Sequence, residues 1–246
     1  MKKLFFILLL LSAVPLAAQK KITFKSGDGL EVTADLYVTN PENSPFIILF
    51  HQAKWSRGEY QEIAPKLNKM GFNCMAVDQR SGEEINGVVN ETYNRAVEKG
   101  LATSYIDALG DMHAAIDYVK AKYKNAGSLI IWGSSYSSAL VLHIASERKD
   151  ISGVLAFSPG EYFEDQGKSK DWITQSAKKI TVPTFITSAK LEKKQWWDIA
   201  AQIPEQNRAY FLPTKLGKHG SRSLWSKFSD SGEYWEAVKG FLGLFQ

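Results

Sequence analysis

A single cysteine, Cys74, leaves the chain without an internal disulfide, so its stability must come from an apolar core. No long run of one charge is present. The 30 Lys and Arg residues are spread among 26 Asp and Glu residues, which excludes a nucleic-acid-binding stripe. The four histidines and the acids show no metal-ligand spacing, no His-Glu-x-x-His and no cysteine cluster, so no metal is expected. The glycines form neither a phosphate loop nor a dinucleotide fingerprint, and no cofactor is expected. Repeats, linkers and low-complexity stretches are also missing. What remains is ordinary globular chemistry: 246 residues, 44% hydrophobic and 23% charged, enough chain to bury a sizeable core and too apolar for a disordered one.

The N-terminus differs from the rest. Lys2 and Lys3 precede an unbroken apolar run, Leu4 to Leu11, and small residues follow up to Ala17 and Ala18. That is the layout of a secretory signal peptide over residues 1–18, with cleavage expected after Ala18 or Gln19. The run falls short of the roughly 20 residues that span a bilayer, and Pro15 interrupts it. No cysteine at the junction offers a lipid anchor. The expectation is an exported protein, periplasmic or secreted, with no stable membrane anchor and residues 19–246 forming one domain.

From residue 20 the pattern alternates. Lys21–Lys25 and Leu30–Val38 flank Ser26-Gly27-Asp28-Gly29 and predict an antiparallel hairpin. Pro45–Phe50, Phe72–Val77, Leu129–Trp132 and Ile151–Phe157 are continuous apolar runs of the kind buried on both sheet faces. Cys74 lies in the second of them and reads as a small buried hydrophobe. Thr184–Thr187 and Arg208–Leu212 are further strands. Helical spacing appears over 59–70, 104–124, 138–146, 196–202 and 232–245. Residues 81–100 read as a polar, irregular loop. Strand and helix alternating from residue 46 predict an α/β domain, mostly parallel, with helices on both faces and an antiparallel N-terminal edge.

The chemistry falls at the strand ends. Gly133-Ser134-Ser135-Tyr136-Ser137 lies between a buried strand and a helix, where a sharp turn exposes the middle serine and aims the next amide, that of Tyr136, at the same space. Ser137 stands where the usual pattern has a second glycine. Ser135 is the candidate nucleophile, and a serine needs a base oriented by a carboxylate. Of the histidines, His113 and His143 lie within helices and His51 ends an early strand. His219, in the glycine-flanked loop Leu216–Ser221, is the candidate base. The acid should lie between serine and histidine in the chain. Glu192, after the strand 184–187, is favoured, and Glu161, after the preceding strand, competes with it. Between 158 and 182 a short segment with Tyr162, Phe163 and Trp172 is expected to form a modest aromatic lid. Trp55, Tyr136, Trp196 and Trp197 are candidate pocket walls.

The ordered set of His51, Asp78-Gln79-Arg80, the serine turn, Pro183–Glu192 and His219-Gly220 resembles the α/β-hydrolase superfamily. Its compact size is similar to the dienelactone-hydrolase-like branch, though with serine in place of that branch's cysteine nucleophile. The resemblance implies acyl transfer by Ser135, His219 and Glu192, with no metal or cofactor. It also implies an oxyanion site built from the Tyr136 amide and that of Gln52 or Ala53, because His51-Gln52-Ala53 stands where relatives have a histidine-glycine pair. The expected partner is a small-molecule ester. A peptidase or amidase of the same superfamily is the alternative, as is a non-catalytic exported binding protein keeping the fold.

Overall fold

The computed structural model describes residues 19–246, so the expected leader lies outside the described residues. Strands β1 (Lys20–Lys25) and β2 (Glu31–Tyr37) form the predicted hairpin, residue for residue antiparallel from Lys20↔Leu36 to Lys25↔Glu31. Strands β3 (Phe46–Phe50) and β4 (Asn73–Val77) are buried at every position and pair in parallel. Between them lies α1 (Ile63–Lys69), shorter than the periodicity over 59–70 predicts. Pro65 sets its start: a proline is tolerated in the first turn, but its ring clashes with the carbonyl four residues back if the helix runs further upstream. Residues Arg57–Tyr60 form a separate 3-10 turn.

Residues 81–100 correct the loop expectation. They hold a short hairpin, β5 (Glu84–Ile85) and β6 (Val88–Val89), followed by α2 (Glu91–Glu98). The hairpin turns at Asn86-Gly87, both with positive φ (55° and 74°), the conformation that Asn-Gly favours in two-residue loops. Asn90 caps α2, its side chain accepting from the Tyr93 amide at 2.8 Å. Helix α3 (Ala108–Lys122) begins four residues later than predicted, because Ser104–Asp107 close a turn in which the Ser104 amide donates to the Asp107 carboxylate.

The remaining elements are β7 (Leu129–Ser134), α4 (Tyr136–Glu147), β8 (Gly153–Phe157), α5 (Trp172–Ala177), β9 (Thr184–Thr187), α6 (Lys193–Gln202), β10 (Arg208–Phe211) and α7 (Ser231–Leu242). The eight-stranded sheet runs β1-β2-β4-β3-β7-β8-β9-β10, antiparallel through β2–β4 and parallel from β4 onward. One core packs α3 to α6 on one face, with Met112, Ile116, Leu140, Ile144 and Trp196 among its buried residues. The other packs α1 and α7 on the opposite face, through Leu67, Tyr234 and Val238. At about 1.5–3 kcal/mol per fully buried large side chain, these two layers replace the missing disulfide. Cys74 sits in the second layer as a buried hydrophobe. No helix among the described residues is long and apolar enough to cross a membrane. The parallel strands bring the ends of β3, β7, β8, β9 and β10 to one edge of the sheet, the usual place for a site in such folds.

Candidate active site

Ser135 follows β7 directly, with φ 58° and ψ −124°. Such a backbone is strained for a residue with a side chain, by about 1–3 kcal/mol, and such strain clusters at functional positions. The sequence makes the turn possible through small residues. A Cβ on Gly133 would sit 2.3 Å from the Ser137 carbonyl oxygen, so only glycine fits there. Ser137 fills the other tight place, its hydroxyl accepting from the Ser134 amide at 2.9 Å and lying 2.8 Å from the Phe50 carbonyl oxygen. The Ser135 amide is tied to the Phe157 carbonyl at 2.8 Å, and its side chain is partly exposed.

Glu192 and His219 meet although 27 residues separate them: His219 Nδ1 lies 2.8 Å from Glu192 Oε1. The second carboxylate oxygen accepts from Ser158 Oγ at 2.7 Å and from the Ala189 amide at 3.2 Å, so the acid is held from both sides. Burial works to raise the Glu192 carboxyl, but the hydrogen bond and charge of His219, with the bonds from Ser158 and Ala189, outweigh it and hold the group below its ordinary value. Glu161 is elsewhere. Its carboxylate caps α5, accepting from the Ile173 and Thr174 amides at 2.9 and 2.7 Å.

The histidine loop is fastened by its next two residues, Gly220 to the end of β8 and Ser221 to the serine turn. The Gly220 amide donates to Ser158 Oγ at 2.9 Å, and the Ser221 amide to Ser134 Oγ at 2.9 Å. Trp132 Nε1, from β7 itself, donates to Ser221 Oγ at 2.9 Å. Gly220 has φ 70°, and a Cβ there would come within 2.5 Å of Ser134 Oγ and 2.6 Å of Gln52 Oε1. Gly220→Ala therefore combines a left-handed backbone with a clash against two loops. We expect it to cost about 2–4 kcal/mol in a urea titration and to lower any activity of the site by at least an order of magnitude. A variant with wild-type stability and rate would contradict this packing.

His51 is structural here. It is fully buried, its Nε2 accepts from the Gln79 amide at 3.1 Å and its Nδ1 lies 2.8 Å from the Gln52 carbonyl oxygen, which places the ring proton on Nδ1. Burial pushes its pKa down to about 4, so the ring is neutral and already committed. Asp78 binds the buried Arg57, and Arg80 binds Asp111, which makes both members of that motif scaffold. The Gln52 amide donates to Glu59 Oε2 at 2.8 Å. Among the described residues the Ala53 and Tyr136 amides make no hydrogen bond.

In the lid segment, burial raises the Tyr162 phenol, and the nearby charge of Glu192 raises it further. Tyr162 donates to the Ser158 carbonyl at 2.8 Å. Phe163 and Trp172 turn inward, and Trp172 packs on His143 at 4.2 Å between ring centroids. Of the four aromatic wall candidates, Tyr136 and Trp196 are core residues, and Trp197 packs with Tyr210 at the far strand. Trp55, four residues after His51, is stacked on Trp225 at 5.3 Å. Sequence reasoning passed over Glu59 and Ser158. Ser158 has φ 59° and follows Phe157, a strand-end serine before Pro159-Gly160, and that strand-end position was the available signal.

No curated protein matches the chain in sequence. Among solved structures, an esterase of Pyrococcus furiosus superposes with a TM-score of 0.69 at 17% identity, covering 93% of each chain. A dienelactone hydrolase from Anabaena variabilis superposes at 0.70 with 12% identity, covering 93% of this chain and 98% of that one. An acylaminoacyl peptidase of Pyrococcus horikoshii gives 0.65 at 16% identity over 92% of this chain and 41% of its own. At such identities the likeness establishes the α/β-hydrolase fold. The family model described as serine aminopeptidase, S33, matches residues 41–168, just over half of the sequence, from before β3 through the serine turn and into the lid segment. By that match the chain belongs to the serine aminopeptidase S33 family, within the α/β-hydrolase superfamily.

Proposed function

We propose that this hydrolase is an exported serine enzyme that cleaves a carboxylic ester through an acyl-enzyme. The observation that carries the proposal is the Glu192–His219 pair at 2.8 Å, with the histidine loop bonded to the serine turn through the Ser221 amide. Ser135 Oγ attacks the ester carbonyl carbon while its proton passes to His219 Nε2, and Glu192 holds the Nδ1–H and balances the imidazolium. The carbonyl oxygen becomes an oxyanion, stabilised by the Tyr136 and Ala53 amides. Ala53 takes this role because the Gln52 amide is already spent on Glu59. Collapse of the intermediate expels the alcohol, which takes the proton from Nε2 and leaves an acyl group on Ser135. Water then attacks with His219 as base, the carboxylic acid departs, and the proton returns to Ser135.

The family description keeps an aminoacyl-bond reading in view, since esters and amides pass through the same acyl-enzyme. A panel of activated short-chain esters against aminoacyl anilides decides between them. Faster turnover of the esters by at least an order of magnitude is expected, and the opposite ranking would make the enzyme a peptidase. Export rests on residues 1–18. N-terminal sequencing of the mature protein should begin at Gln19 or Lys20, and a chain retaining its first residues would overturn it.

A further inference from the structure

We propose that Glu59 is a positioning residue for this site: its buried carboxylate sets the oxyanion loop against the serine turn and, through Ser134, against the histidine loop. The inference rests on the serine-hydrolase reading above.

Glu59 is fully buried, which is uncommon for a glutamate, and no Lys or Arg lies within ion-pairing distance of it among the described residues. Its two oxygens are divided between two elements of the site. Oε1 accepts from Ser134 Oγ at 2.7 Å, beside the nucleophile, and Oε2 accepts from the Gln52 amide at 2.8 Å. Ser134 Oγ in turn accepts from the Ser221 amide, two residues after His219. One side chain thus joins the loops that supply the oxyanion donors, the nucleophile and the base. Its own carbonyl accepts from Trp225 Nε1 at 2.9 Å, which fixes the backbone beneath.

A buried, unpaired carboxylate is an expensive way to fill space, because the same volume of apolar side chain would cost no desolvation. What it offers instead is an acceptor at both oxygens. With the Gln52 N–H drawn into the core, the Ala53 N–H is left as the free donor of that loop. Burial raises the carboxyl to about 7, offset in part by the Ser134 and Gln52 bonds and by the charges of His219 and Arg222; Tyr60 faces it from the same turn.

The test uses the whole protein and compares Glu59→Gln, Ser134→Ala and the double variant. The readouts are the rate of phosphonylation of Ser135 by a fluorophosphonate, kcat and KM on p-nitrophenyl acetate, and the melting temperature at pH 5 and pH 8. Glutamine keeps the shape but puts an N–H₂ where one acceptor was, so the phosphonylation rate and kcat should fall about 10- to 100-fold with KM within about threefold. The double variant should be no slower than the slower single one, because both act through one link. A raised carboxyl is protonated in the fold at pH 5 and ionised at pH 8, so the wild type should lose stability over that interval relative to Glu59→Gln. The melting-temperature gap between wild type and Glu59→Gln should therefore shift in favour of Glu59→Gln from pH 5 to pH 8, while Glu59→Gln is slower at both. A Glu59→Gln protein that reacts at the wild-type rate overturns the proposal and leaves the hydrolase reading standing. A rate loss that merely tracks a lowered melting temperature also overturns it. A wild type whose Ser135 takes no label removes the hydrolase reading, and this inference with it.

Discussion

Ser135→Ala is expected to lower kcat for an activated ester by about 10⁶, with the melting temperature within a few degrees of wild type. The size of the loss follows from the role. The oxygen that forms the covalent bond is removed, and no other group in the turn can replace it. Ser134 Oγ is engaged with Glu59 and the Ser221 amide, and Ser137 Oγ lies against the Phe50 carbonyl. The fold should tolerate the change because alanine keeps the Cβ already accommodated at φ 58°. Steady-state kinetics beside a thermal melt give both numbers. Ser134→Ala provides the contrast, since it loosens the turn while leaving the nucleophile in place. If Ser134→Ala proved inert while Ser135→Ala kept turning over, the nucleophile would be Ser134.

The second large effect separates the two acids. Glu192→Gln should cut kcat by about 10⁴, as happens where the orienting carboxylate becomes an amide and the imidazole loses its working tautomer. The glutamine can present an N–H₂ to Nδ1, which turns that nitrogen into an acceptor and moves the ring proton to Nε2, where the base must be free. Glu161→Gln should behave differently, because Glu161 accepts from two amides in the first turn of α5. Its loss should cost about 1 kcal/mol of stability and change kcat by no more than a few fold. A 10⁴-fold loss in Glu161→Gln with Glu192→Gln unaffected would withdraw Glu192 from the mechanism.

Much of this arrangement is legible in the residues themselves. Short continuous apolar runs such as Phe46–Phe50 are the mark of strands covered on both faces, and their alternation with helical spacing leads directly to a parallel sheet. Ser135 and His219 stand out because glycine-flanked turns after such strands are where an exposed side chain can be held. The segment 81–100 was missed although Asn86-Gly87 and Asn90 are local signals. Its strands are two residues each, too short for any period to show. Helix boundaries shifted where one residue overrides the spacing, as Pro65 does in α1. Glu59 illustrates a deeper limit. In sequence it is a charged residue opening a helix-like stretch, where solvent exposure is the ordinary expectation. Only the packing of the 3-10 turn against the loop after β3 buries it, and that is a tertiary fact. The sequence favours Glu192 over Glu161 only narrowly, since both follow strand ends at the same edge. What separates them is the path of the histidine loop.

The central claim is that Ser135 is a nucleophile activated by His219. It is tested most directly by treating the purified protein with a fluorophosphonate and mapping the modified peptide by mass spectrometry. The account predicts one adduct, on Ser135, that is absent in Ser135→Ala and forms at least 100-fold more slowly in His219→Ala. An unmodified protein, an adduct on another serine, or a His219→Ala protein that labels at the wild-type rate would contradict it.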